Sequence, residues 1–298
     1  MNKKEILMNA VRPVNAPVTN VILGRHYNGD MQAVKNEKVN NVLVLAPHMD
    51  DETIGPGGTL RQHAEQGANI HCLFITDGGS SVSDRSAEEL MDLRRKEIDK
   101  VQEILGLASV TYMNQPDGQV KSTRESMDLL KEKINSIQPE LIYCTPYIDA
   151  HVDHTATAKL LSDTLQEMED FRGNIRMYEI NCAFPPSAIN VLVDTSAQHA
   201  KKVEATEVFD SQAIAFDGFL RLNEYKGKLA EPSVRTAEGF VQWDRRDFIN
   251  HCETLEKMEY NFPRSFKQVN RTDTLLWAIF KNYAMKKDLY RKTTNPST

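Results

Sequence analysis

The 298-residue chain holds only four cysteines, and no two of them form a Cys-x-x-Cys pair. Cys72, Cys144, Cys182 and Cys252 stand singly, which excludes a disulfide framework and a thiolate metal cluster. They read as small buried hydrophobes in a reducing compartment. No segment approaches the roughly 18 apolar residues of a membrane span. The first residues, Met1 to Met8, carry two lysines and no secretory-type apolar run, so a cytoplasmic location is expected. Cationic excess is missing as well: 36 Lys and Arg face 42 Asp and Glu, for a net charge of -6. Bulk charge therefore offers nothing to nucleic acid or to an anionic membrane. A dinucleotide fingerprint is also lacking, because Gly55-Pro56-Gly57-Gly58 has the wrong glycine spacing and Pro56 stiffens the turn. Repeats and low-complexity segments are absent too.

What remains is an ordinary globular composition, 40% hydrophobic and 26% charged, long enough for one large domain with appendages. Residues 1–38 are polar and broken by Pro13, Pro17, Gly24 and Gly29, and read as an irregular arm. Residues 39–249 form the expected main domain, and 250–298 a helical extension. Within the main domain, β-branched apolar runs alternate with amphipathic stretches. Strands are expected at Val39–Ala46, Asn69–Thr76, Ser109–Met113 and Leu141–Thr145. Helices are expected at Thr59–Gln66, Ala87–Leu105, Thr123–Ile137 and Thr155–Met168, several closed by Gly67, Gly106 or Pro139. This alternation predicts an α/β, Rossmann-like three-layer sandwich with a mostly parallel sheet. Beyond residue 175 the pattern loosens into two strands, Arg176–Ile180 and Ala188–Asp194, then helical stretches near 196–209 and 213–230.

Ligands of such sheets bind beyond the carboxyl ends of the strands. Two of those ends carry donors suited to a metal: Pro47-His48-Met49-Asp50-Asp51-Glu52 after the first strand, and Asp149-Ala150-His151-Val152-Asp153-His154 after the fourth. Either segment alone reads as a loop end or helix cap. Together, their carboxylates would be costly to bury without a cation. His48, Asp51 and His154 make a three-ligand set of the open zinc type, with the fourth position for water. Asp50 is then the expected general base. His151 would stabilise an oxyanion or protonate a leaving amine, oriented by Asp149 or Asp153. Glu52 reads as an outer carboxylate behind the ligands or as a charge at a helix N-terminus. A magnesium-holding phosphoacceptor domain also places acidic residues after its first strand but needs no histidine, so three histidines favour zinc over magnesium.

The first segment, continued by Gly55 and Gly57-Gly58-Thr59, resembles the signature of the LmbE-like, or PIG-L, family of N-deacetylases. His151-Val152-Asp153-His154 resembles its second signature, and the likeness runs over roughly residues 40–245. It takes in Thr76-Asp77-Gly78, Arg94 to Glu97, Pro116-Asp117-Gly118, and Val203–Gln212 and Tyr225–Phe240 as later helices. The resemblance implies one zinc per chain, or another divalent metal, held by His48, Asp51 and His154, with Asp50 as base and His151 assisting. It further implies hydrolysis of an N-acetyl group on a small glucosamine-type sugar or glycoconjugate. Arg94 or Arg95, and Asp117, match positions that touch the polar part of the substrate; the plainer reading is a helix-surface arginine and a turn aspartate. Met49 and Val152 replace prolines common in the family, and the placing of Tyr147 puts thiol-linked glucosamine conjugates in doubt. The contrasting reading is a non-catalytic module that keeps the metal site, against which the presence of Asp50 argues. The basic, aromatic tail around Trp277 is expected to pack on the domain or on a second subunit, with peripheral membrane contact the lesser alternative.

Overall fold

The structure is a computed structural model and describes residues 17–79, 86–211 and 215–294. Residues 1–16 of the expected arm, with its lysine-bearing start, and Gln212 lie outside the described residues. The elements, in chain order, begin with helix α1 (17–26) and strand β1 (Asn41–Ala46). Next come α2 (Asp51–Ile54), α3 (Gly57–Glu65), β2 (Asn69–Thr76), α4 (Ala87–Leu105), β3 (Ser109–Gln115) and α5 (Arg124–Ile137). They continue through β4 (Leu141–Cys144), α6 (Val152–Gln166), β5 (Asn174–Tyr178), β6 (Val191–Asp194), α7 (His199–Thr206), α8 (Asp217–Lys226) and β7 (Ala237–Trp243). The chain closes with α9 (Arg245–Glu256), α10 (Phe262–Ser265), α11 (Leu275–Phe280) and α12 (Tyr283–Thr294).

The seven strands form one sheet in the order β3-β2-β1-β4-β5-β7-β6. Strands β1 to β5 pair in parallel, and β7 runs antiparallel to both β5 and β6. The expected α/β sandwich with a mostly parallel sheet is therefore what the chain forms. Val42–Ala46 and Leu141–Cys144 are fully buried because helices cover both faces of the central strands. From β1 the chain steps through β2 and β3 to one side, and from β4 through β5 to the other. The strand order thus reverses between β1 and β4, and the loops leaving their carboxyl ends diverge to open a crevice.

Two expectations are corrected. Residues 17–26 are helical and not irregular. Pro17 stands at the helix start, where its missing N–H costs nothing. Thr19, Leu23 and Tyr27, four residues apart, are buried as one stripe. The second correction concerns Tyr225–Phe240: α8 ends at Lys226, and Ala237–Trp243 is a strand inside the sheet. Phe240-Val241 and Trp243 favour an extended, covered backbone. Gly239 lets Ile189 approach so closely that a Cβ there would lie 2.8 Å from its Cδ1. A 3-10 turn and loop over residues 227–236 separate it from α8, and its antiparallel pairing with β5 and β6 departs from the parallel repeat of the first strands.

The tail folds back on the domain, with α12 packed on α9 and on the 3-10 turn Pro186–Ala188. Leu275, Ala278 and Ile279 of α11 are buried, while Trp277 and Phe280 stay exposed. Under α9, His251 lies fully buried between Trp243 and Tyr290, and neither ring nitrogen has a hydrogen-bond partner. Burial pushes its pKa down to about 3. A second buried feature holds the region after β1. Glu238 of β7 accepts the N–H groups of Gly58 and Thr59 at 2.9 and 2.8 Å, and so caps α3 from outside that helix. Lys202 pairs with the same carboxylate at 2.6 Å and donates to the Gly55 carbonyl at 2.8 Å. Gly55 must be glycine, since a Cβ there would lie 2.4 Å from the Tyr178 ring.

Two outcomes follow for stability. Lys202→Met leaves Glu238 buried without its cation and is expected to cost about 3–5 kcal/mol in urea unfolding. His251 releases its proton on folding, so its contribution is complete above about pH 6.5 and declines as pH falls toward its folded pKa. Between pH 6.5 and 5 that decline is about 1.5 kcal/mol, and His251→Phe should remove it. Equal pH slopes in the two proteins would show that His251 does not take up the proton on unfolding.

Candidate metal centre

Strand β1 runs into Pro47, whose carbonyl accepts both the N–H and the hydroxyl of Thr76 at the end of β2, at 3.1 and 2.8 Å. The chain turns there, and His48 N–H donates to Asp51 Oδ2 at 2.8 Å. Sequence reading placed Asp51 in the loop after the first strand and offered Glu52 as a charge at a helix N-terminus; both open the short helix α2. The second segment differs likewise. Helix α6 starts at Val152 and not at Thr155, because His151 caps it: His151 Nδ1 accepts the Asp153 N–H at 3.2 Å. Asp153 and His154 thus lie in the first turn of a helix at the β4 end of the crevice, facing α2 at the β1 end.

Three donors meet between those two turns. His48 Nδ1 lies 3.2 Å from His154 Nε2, and Asp51 Oδ2 lies 3.3 Å from each of these nitrogens. Ligands about 2.0–2.1 Å from a tetrahedral ion stand about 3.3–3.4 Å from one another. The triangle therefore has the size of one face of such a tetrahedron. Each imidazole is backed by carboxylates on its other nitrogen. His48 Nε2 lies 3.1 Å from Asp153 Oδ2 and 3.3 Å from Asp117 Oδ1, and His154 Nδ1 lies 3.2 Å from Asp149 Oδ1. Protons on those outer nitrogens leave both inner lone pairs free for a metal, the usual arrangement behind ligating histidines. The carboxylates are themselves held: Asp153 by the N–H groups of Gly118 and Val120, and Asp149 by His151 N–H and Asn181.

The electrostatics agree with a missing cation. Burial disfavours charge on His48 and His154, yet the carboxylates outweigh it, raising His48 well above its usual range and His154 to about 10. Two N–H groups cannot face each other at 3.2 Å, so protons cannot fill both inner positions, whereas one ion on the shared face would balance the carboxylates. Burial also pushes up the Asp51 carboxyl, but His154 and His48 hold it well below the usual range. The donor set, the triangle and the carboxylates behind it all fit a divalent ion of the zinc type.

The other residues of interest fall around this triangle. Asp50 is buried outside it, with its carboxyl pushed up to about 7 by burial and by the charge of Asp51. His151 stands on the open side, its ring 4.6 Å from that of His48 and 5.2 Å from that of His154. Burial and the two neighbouring histidines lower its pKa to about 4. His48, His151 and His154 also converge as a possible ligand group, as do His48, Asp117 and Asp153. The Asp51 triangle is tighter than the first, and in the second His48 Nε2 serves as a donor. Glu52 is fully buried, accepts the Thr53 hydroxyl at 2.6 Å and is pushed up to about 8 by burial. Arg94 is buried against the Gly78 carbonyl and within electrostatic reach of Asp50. Arg95 instead lies over the Tyr112 ring and bonds Asn114, outside the cluster. Asp117, expected at the substrate, lies behind His48. Asn181, which steadies Asp149, was not anticipated, although its place after β5, beside β4, is where the strand-end rule points.

Comparison with known proteins bears on this geometry. Residues 43–165 match the family described as PIG-L: GlcNAc-PI de-N-acetylase. Over that stretch, less than half of its length, the chain is similar to this family. The PIG-L match takes in every candidate ligand and both signature segments. A diacetylchitobiose deacetylase of Thermococcus kodakarensis is 31% identical over 122 residues, 39% of this chain and 45% of that protein. A 4-oxalmesaconate hydratase of Pseudomonas putida is 29% identical over 114 residues, 36% of this chain and 44% of that protein. The aligned part thus spans under half the length of these curated relatives. Among solved structures, N,N'-diacetylchitobiose deacetylase from Pyrococcus horikoshii aligns with a TM-score of 0.62 at 23% identity, covering 83% of this chain and 95% of that one. That likeness shows a shared fold.

Zinc titration against a competing chelator should give about one tightly held ion per wild-type chain and none for His154→Ala. Asp149→Asn, which disturbs only the backing of His154, should weaken binding by about 10–100-fold. A His154→Ala protein that holds zinc as the wild type does would refute the triangle as the metal site.

Proposed function

We propose that the chain is a zinc-dependent hydrolase that removes the acetyl group from the nitrogen of an amino sugar or glycoconjugate of the N-acetylglucosamine type. The observation that carries this reading is the open triangle of His48, Asp51 and His154, 3.2–3.3 Å on each edge, with a buried carboxyl and a third imidazole beside it. The two deacetylases among the similar proteins favour acyl-amide hydrolysis. The nitrogen-rich donor set favours zinc over magnesium.

His48, Asp51 and His154 would hold the ion. When bound, it supplies Lewis acidity, making water acidic enough to react near neutral pH and polarising an amide carbonyl. Asp50, next to the ligand Asp51 but outside the triangle, accepts a proton from water as its oxygen bonds to the acetyl carbon. His151 uses its Nδ1 to accept the Asp153 N–H, so its own proton sits on Nε2. From there it donates to the carbonyl oxygen as negative charge develops. The C–N bond then breaks, the proton taken by Asp50 passes to the departing nitrogen, and acetate and a free amine result. Arg94, within electrostatic reach of Asp50, is the arginine placed to bear on the sugar, while Asp117 backs the outer nitrogen of His48.

The second reading, a metal-holding module without catalysis, is separated by one assay. Acetate release from N-acetylglucosamine and diacetylchitobiose should be metal-dependent in the wild type. Asp50→Asn should keep its zinc while kcat/KM falls about 10²–10⁴-fold. Full activity in that variant removes Asp50 as the base; a zinc-loaded wild type that releases no acetate leaves the non-catalytic reading standing.

A further inference from the structure

Asp149, which backs the candidate ligand His154, is fully buried and accepts from two backbone N–H groups and one side-chain amide. The His151 N–H, at 2.9 Å, comes from the same loop, so it shapes that loop without fixing it against the sheet. Both other donors belong to Asn181: Nδ2 donates to Oδ1 at 3.0 Å, and the backbone N–H donates to Oδ2 at 3.2 Å. Among the described residues, Asn181 is thus the donor that ties Asp149 to a neighbouring strand end. Its Nδ2 also lies 3.5 Å from His154 Nδ1. An amide nitrogen only donates, so the proton on that ring nitrogen has Asp149, at 3.2 Å, as its acceptor. A proton held there leaves His154 Nε2 free on the inner face of the triangle.

Asn181 is itself held from the other side. It lies just after β5, and its carbonyl accepts the Val269 N–H at 3.2 Å. Val269 is fully buried in residues 266–270, between α10 and α11. Helix α8 pins that segment: the Gly218 N–H donates to the Asn270 carbonyl at 3.0 Å, and a Cβ on Gly218 would overlap the Val269 carbonyl oxygen. Asp217 accepts the Thr272 N–H at 3.0 Å. Further along the Asn181 loop, Phe184 meets the Tyr290 ring of α12 edge-on at 5.6 Å. The loop therefore lies between the candidate centre and the tail, and both it and the tail fall outside the family match. We propose that Asn181 is a positioning residue for the metal centre and that residues 266–270 act as the strap that sets it. The tail, through the Val269 N–H, holds the residue that holds Asp149 on His154. The proposal rests on the triangle as the metal site and makes zinc affinity depend on a segment far along the chain from the last ligand.

The test combines zinc affinity, measured by competition with a chelator, and amide exchange followed by NMR. Asn181→Ala should weaken zinc binding about 10–100-fold. Added to Asp149→Asn, the same change should cost no more than about twofold further, because the two residues act through one contact. A full additional loss in that background would make Asn181 a general support of its loop and overturn the positioning role. The exchange arm uses the wild type and so needs no variant to fold. Zinc loading should slow exchange of the Val269 amide about tenfold more than that of Leu107, which bonds Gln102 near the amino end of β3. Equal slowing of the two amides, or none, overturns the strap. A wild type that takes up no zinc overturns this proposal together with the metal reading. Zinc uptake with unchanged affinity in Asn181→Ala overturns this proposal alone.

Discussion

Asp50, Asp51, Asp149 and Asp153 are all buried within two short turns at the point where the strand order reverses. Gathering that much negative potential away from water is unfavourable unless something positive occupies the middle. Much of the local structure serves to make such an arrangement tolerable. His48 and His154 sit between carboxylates on both of their nitrogens, Asp153 takes two backbone N–H groups, and Asp149 takes Asn181. The cluster is held rigidly from outside while its inner face, where His48 Nδ1, His154 Nε2 and Asp51 Oδ2 meet, keeps only the protons it can share. A site built in this way is pre-shaped for a cation, and its ligands need not reorganise to receive one.

Rigidity on the β1 side depends on residues far from the chemistry. Asp51 can point at both imidazoles only if α2 is anchored, and α2 leads at once through Gly55 into α3. The chain there is clamped by Tyr178, packed against Gly55, by Lys202 on the Gly55 carbonyl and by Glu238 on the α3 N-terminus. Those three residues come from β5, α7 and β7, on the far side of the sheet or beyond. The later, less regular part of the chain thus acts as a frame for the compact signature region. This explains why the ligands cluster within residues 48–154 while the buried pair that steadies them lies at 202 and 238.

The parts legible in the sequence are those where local pattern and long-range structure agree. Strands β1, β2 and β4 are buried on both faces and advertise themselves as apolar runs. Helix α4 is marked by its amphipathic spacing and by Gly106 at its end, which the structure shows as a left-handed cap. The donors at the candidate centre were legible because strand ends are where such sheets bind ligands, and because histidines and aspartates recur at two of them. What was hidden depended on partners distant in sequence. Strand β7 is inserted between β5 and β6 by pairing with strands well back in the chain, and α1 shows its stripe only against the domain it covers. Asp117 read as a turn residue because nothing local says that its carboxylate lies beside His48. Arg94 and Arg95 are equivalent in sequence, yet one helical step of about 100° sends the first toward Asp50 and the second onto Tyr112.

Donors that must meet within a few tenths of an ångström come from the bend after β1 and from the first turns of α2 and α6, each fixed at a strand end of the sheet. Helix α6 is locked from its inner side by Thr145 on the His154 carbonyl and by Asp149 on its ring. Val152, Thr155, Ala156 and Lys159 lie on its other face, where changes leave His48, Asp51 and His154 in place. One helix therefore carries a face that cannot vary if the triangle is to survive and a face that is free to.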